Sequence, residues 1–125
     1  MTLPDGLADR EAAEGTVQSY IHATGKVGAL VSPEQAKDLA RTCALNALAA
    51  IDALVGLESV VRVVKVVGFV ASTPDFTGQP GVVNGASELL GDVFGEAGQH
   101  ARSAVGVAAL PLDAPVEVEL VVEVR

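Results

Sequence analysis

His100-Ala-Arg-Ser-Ala-Val-Gly-Val-Ala-Ala-Leu-Pro-Leu-Asp-Ala-Pro-Val-Glu-Val-Glu-Leu-Val-Val-Glu-Val-Arg125 is the stretch that decides the fold. It reads as two strands, 101–109 and 116–124, joined into a hairpin by a turn of Pro and Asp. In the second strand Val116, Val118, Leu120, Val122 and Val124 face one way, while Glu117, Glu119 and Glu123 face the other. That period of two marks one buried face and one that is wet or functional. Arg102, beside Ser103 at the mouth of the other strand, is a candidate anion site.

Upstream, Val60-Val-Arg-Val-Val-Lys-Val-Val-Gly-Phe-Val70 is a strand by its β-branched content. Its apolar residues occupy both faces, so it is expected at the centre of a sheet and covered on both sides. Thr73–Pro80 reads as a loop, and Val83, Ala86, Leu90 and Val93 mark a helix ending near Gly95. Gly85 and Gly91 within it suggest close packing against a neighbour. A longer helix starts at Ser32-Pro-Glu-Gln35, where Ser32 can cap and Gln35 can complete a capping box. Leu39, Cys43, Ala47, Ala50 and Leu54 form its apolar stripe, and Gly56 stops it. Gly25–Gly28 is a turn, Val17–Thr24 a short strand, and residues 1–16 a flexible arm ahead of one domain, 17–125. The order is (β)–α–β–α–β–β, an α+β fold with two helices on one face of a mixed sheet.

With 125 residues the chain suits one core, and half of its residues are hydrophobic, mostly Val, Ala and Leu. Three Phe, one Tyr and no Trp leave little aromatic area for stacking on bases. A net charge of −8 opposes nonspecific binding to nucleic acid or anionic membranes, which requires clustered cations. It leaves room for one small anion held by a local arginine. No apolar run reaches membrane-spanning length and no secretory signal is evident. With the single Cys43, this makes the cytoplasm the expected location.

Arg102 either grips a carboxylate through its planar fork or pairs with Glu117 or Glu119 on the neighbouring strand. Glu117 is a candidate acid or base, or a solvated strand residue. Asn84 can hydrogen-bond across an interface or cap a turn. Tyr20 lines a pocket or packs. His22, His100 and Cys43 lack metal-ligand spacing, so no metal is expected.

These residues resemble the RidA/YjgF/YER057c/UK114 family, also known as endoribonuclease L-PSP or chorismate-mutase-like proteins. The resemblance covers residues 24–125 and rests on Ala101–Asp113, the Val-Glu-Val-Glu strand at 116–119, and Val83-Asn84. Val63-Val-Lys-Val-Val-Gly-Phe-Val70, Gly25-Lys-Val-Gly28 and Cys43-Ala-Leu-Asn-Ala-Leu-Ala-Ala50 add to it. It implies a chorismate-mutase-like (YjgF-like) protomer in a homotrimer, with ligand clefts between subunits and no cofactor. The implied activity is hydrolysis of enamines or imines, such as 2-iminobutanoate and 2-iminopropanoate, to 2-oxo acids and ammonia. Arg102 would hold the substrate carboxylate, Glu117 would help place the attacking water, and Asn84 matches the family's helix asparagine.

The family's Ser-Gly-Gln element ahead of the first helix is absent, and the N-terminal strands are shortened, which would expose a sheet edge or enlarge the cleft. Gly106 stands where deaminating members commonly carry glutamate. The alternative implied function is a non-catalytic trimer that binds a small carboxylate or a partner protein. A ribonuclease would need a basic track that this acidic chain lacks.

Overall fold

The computed structural model describes residues 23–125 together with the backbone pairing of Thr16–Val17. Helix α1 spans Pro33–Val55 and begins with the capping box expected from its sequence. Ser32 Oγ accepts from the Gln35 amide at 3.1 Å, and the Gln35 side chain accepts from the Ser32 amide at 3.0 Å. Gly56, at φ 82°, ends the helix as glycine can in the left-handed region.

The buried stripe of α1 is Ala36, Ala40, Cys43, Ala44, Ala47, Leu48 and Ile51. It is rotated from the expected one: Leu54 is 51% exposed, Ala50 is exposed and Leu39 is half-buried. The small side chains carry the contact because α1 packs closely against helix α2, Gln79–Phe94. At Gly85 of α2 a Cβ would lie 2.0 Å from the Lys37 carbonyl oxygen, so the backbones touch there. At Gly91 a Cβ would meet open space, and the close neighbour is instead Gly98, where a Cβ would lie 3.2 Å from the Gly91 Cα. Helix α2 starts earlier than the sequence pattern suggested, because Gln79 and Pro80, read as loop, form its first turn.

The sheet contains β1 (Thr16–Val17), β2 (Val60–Ala71), β3 (Ala101–Val107) and β4 (Val116–Val124), in the order β1-β4-β2-β3. Strand β2 is central, parallel to β3 and antiparallel to β4, which makes the sheet mixed as expected. The closing hairpin does not form. Strands β3 and β4 flank β2 on opposite sides, since the 3₁₀ turn at Pro111–Asp113 carries the chain across the sheet end. Leu112 and Asp113 both adopt positive φ there, at 59° and 57°. The loop is tied down by the Gly25 amide, which donates to the Asp113 carbonyl at 3.0 Å.

Both helices cover the face bearing Val66, Val70, Val116, Val118 and Leu120, all of them buried. Gly68 lies on this face because a Cβ would meet Val83 Cγ2 at 2.3 Å. The opposite face carries Val67, Phe69, Val105, Glu117, Glu119 and Val121 in register. Among the described residues nothing covers that second face of β2, which was expected to be covered on both sides, and Val105 is 42% exposed. Of the expected strand Val17–Thr24, Val17 pairs with β4 next to Thr16, and Ala23 and Thr24 are not strand. Residues 18–22, with Tyr20 and His22, and the arm before Thr16 lie outside the described residues. Among those described, no helix is long and apolar enough to cross a membrane.

Candidate functional site

Two periodicities converge at the β3 edge of the sheet. Asn84 and Ser87 are three apart on α2 and therefore share a helix face. His100, just before β3, and Arg102, the second residue of β3, are two apart and point to the same side. Arg102 is in register with buried Val66, so its side chain leaves the sheet on the helical side.

There Arg102 Nη1 donates to Asn84 Oδ1 at 2.7 Å and to Ser87 Oγ at 3.3 Å. Neither partner is charged. Among the described residues no carboxylate forms an ion pair with Arg102; the pairs are Lys37–Glu88 at 3.2 Å and Arg62–Glu123 at 2.9 Å. Two neutral acceptors fix the plane of the guanidinium without neutralising it. Nε and Nη2 then remain as a donor edge that matches a carboxylate. The side chain is exposed enough for a ligand to reach it.

Ser87 Oγ also lies 2.8 Å from His100 Nε2, while His100 Nδ1 meets the Gly98 carbonyl oxygen. A carbonyl only accepts, so Nδ1 carries the hydrogen and Nε2 of the neutral ring accepts from the Ser87 hydroxyl. Gly98 is buried against α2, where a Cβ would meet the Leu90 carbonyl oxygen at 2.3 Å. The turn that presents its carbonyl is therefore held by packing.

Glu117 is not part of this constellation. It is in register with Phe69 and projects from the open face, as does Glu119, in register with Val67. The salt bridge from Arg102 to either glutamate across a neighbouring strand is thus excluded within the protomer. Strand β2 intervenes, and the side chains leave opposite faces. Ser103 is likewise on the open face, in register with Val67. Gly106 faces the helices, and a Cβ there would lie 2.7 Å from Gln79 Nε2. The Gln79 amide, bonded to the Phe76 carbonyl at 2.8 Å, fills the room a side chain at 106 would need.

The sequence reading missed Ser87 and considered His100 only as a metal ligand. The i, i+3 spacing on α2 and the i, i+2 spacing leading into β3 were the available signals, but only the helix-to-strand docking aligns them. Among the described residues no group of three His, Cys, Asp or Glu side chains could hold a metal. A groove of about 220 Å³ lined by Pro33, Lys37, Phe76 and Val82 lies between the helix starts and includes none of Asn84, Ser87, His100 and Arg102.

The sequence model of the family described as Endoribonuclease L-PSP matches residues 14–124. Protein TCP17 of Trypanosoma cruzi is 50% identical over 104 residues, covering 82% of this chain and 65% of that protein. This chain therefore spans just under two thirds of that relative's length. A crystal structure of a protein of unknown function from Agrobacterium tumefaciens has 43% identity and a TM-score of 0.85, over 89% of this chain and 74% of that one. TdcF of E. coli, solved with bound serine, has 31% identity and a TM-score of 0.51, over 78% of this chain and 71% of that one. On these likenesses the chain belongs to the endoribonuclease L-PSP family, the RidA/YjgF/UK114 proteins, and has their chorismate-mutase-like α+β fold.

Proposed function

We propose that this chain hydrolyses small 2-imino acids and their enamine tautomers, releasing ammonia and a 2-oxo acid, at a cleft between subunits of a homotrimer. The observation that carries this reading is the Arg102 guanidinium, oriented by Asn84 and Ser87 and without a carboxylate partner among the described residues. Such a group takes the substrate carboxylate through its remaining edge, and Asn84 holds the guanidinium plane. An imine carbon is already electrophilic, so catalysis there requires little beyond an anchor, a placed water and a path for protons. The bound serine of TdcF, a three-carbon amino acid with a free carboxylate, supports a ligand of this size. No cofactor enters this reaction, and the cytoplasm is the proposed location.

Glu117 reaches substrate in this scheme only where a second copy brings its open sheet face to the cleft. The half-buried valines and Phe69 of that face support such packing. The position of Glu117 also favours a second reading, a trimer that binds a small carboxylate without turning it over, because among the described residues no carboxylate pairs with Arg102.

The test is hydrolysis of enzymatically generated 2-aminoacrylate by the wild-type protein and Arg102→Ala. Acceleration by the wild type, lost in the variant, is expected. A wild-type rate equal to spontaneous hydrolysis, with carboxylate binding retained, would replace the first reading with the second.

A further inference from the structure

We propose that Ser87 and His100 form the proton relay of this site, an inference that rests on the imine-hydrolysis reading. The hydrogen bonds run in one direction, from Arg102 Nη1 to Ser87 Oγ, from Ser87 to His100 Nε2, and from His100 Nδ1 to the Gly98 carbonyl. A hydroxyl that accepts from a guanidinium and donates to an imidazole is polarised at both ends. The Gly98 carbonyl sets the tautomer that leaves Nε2 basic, the role an orienting group plays behind a general base. Ser87 and His100 are both half-buried, so the pair is open to a water but shielded from bulk exchange on its α2 side. Ser87 Oγ also lies 3.3 Å from the cation that would hold the carboxylate. The imine carbon, bonded directly to that carboxylate, is thereby brought near the relay.

The step balances as follows. A water oxygen bonds to the imine carbon, and the C=N π pair moves to nitrogen, which takes a proton from solvent. One water proton passes to Ser87 Oγ as the Ser87 proton passes to His100 Nε2. The resulting carbinolamine then breaks its C–N bond and forms C=O. The imidazolium returns its proton through Ser87 to the departing nitrogen, and the hydroxyl proton leaves to solvent. Imine and water yield 2-oxo acid and ammonia, and both side chains regain their starting states. Ser87 contacts the water. His100 acts through Ser87 and is a positioning residue.

The experiment compares kcat and KM on 2-aminoacrylate for the wild type, Ser87→Ala, Ser87→Thr, His100→Ala and Arg102→Ala. Loss of a proton-transfer group lowers kcat by about 100-fold, so Ser87→Ala and His100→Ala are expected to fall this far with KM nearly unchanged. Added imidazole should restore His100→Ala, and Ser87→Thr should keep most of the rate. Arg102→Ala should instead raise KM. Ser87→Ala tests the relay independently of folding at position 100, because alanine suits a helix interior. Wild-type kcat in both Ser87→Ala and His100→Ala overturns the relay and leaves imine hydrolysis standing. Raised KM in both, without imidazole rescue, also overturns it, since they would then serve only to hold Arg102. No acceleration by the wild type removes the reaction itself, and the relay with it.

Discussion

Arg102 and Glu117 occupy opposite faces of one sheet. Arg102 is aligned with buried Val66 on the helical side, and Glu117 with Phe69 on the open side. A guanidinium and a carboxylate that lie 15 positions apart in sequence are therefore separated by the central strand and by the sheet itself. Any joint action requires a second copy of the chain.

Arg102→Lys should weaken binding of a small 2-oxo acid by at least about tenfold, because a point charge cannot replace two parallel donors. Titration calorimetry measures this directly. Asn84→Ala should weaken it less, since Ser87 still holds Nη1. Equal affinities for wild type and Arg102→Lys would show that the carboxylate sits elsewhere.

Phe69→Glu places a charge among Val67, Val105 and Val121 on the open face. If this face joins three copies, solution mass should fall from three times the 12.7 kDa chain to the single chain. Turnover by Glu117→Gln should drop at least about tenfold while its solution mass matches that of the wild type. A wild type of single-chain mass at every concentration would contradict the trimer.

Gly85→Ala should destabilise the fold by about 1–3 kcal/mol, the usual cost of forcing extra volume into a packed contact. Its Cβ would meet the Lys37 carbonyl oxygen, a backbone atom that cannot swing away. Gly91→Ala on the same helix meets open space and should stabilise by about 0.5–1 kcal/mol. Urea denaturation of the two variants should give shifts of opposite sign.

Ser32→Ala removes the acceptor for the Gln35 amide and breaks the capping box. A loss of about 1 kcal/mol is expected from such a cap. Ser32→Asp, which keeps an acceptor, should recover most of it in the same denaturation measurement.

The legible parts of the sequence were those governed by local rules. The capping box at Ser32, the stop at Gly56 and the alternation from Val116 to Val122 all hold, because each depends on residues a few positions apart. The α1 stripe was misjudged at Leu54 and Ala50, since hydrophobicity alone does not show that alanines and Gly85 let two helices approach closely. The hairpin was misjudged for a similar reason. A Pro-containing turn between two strands resembles a hairpin locally, and nothing local reveals that β2 inserts between them.

By itself the sequence determined the element types, the mixed α+β class and Arg102 as a candidate anion site, because periodicity and side-chain chemistry are written along the chain. Only the tertiary structure decided what surrounds Arg102. Docking α2 against β3 brings Asn84 and Ser87, 18 and 15 positions away in sequence, to the guanidinium, and brings His100 to Ser87, 13 positions from it. Inserting β2 between β3 and β4 takes Glu117 away, because strand order and sheet face arise from long-range pairing and not from neighbouring residues.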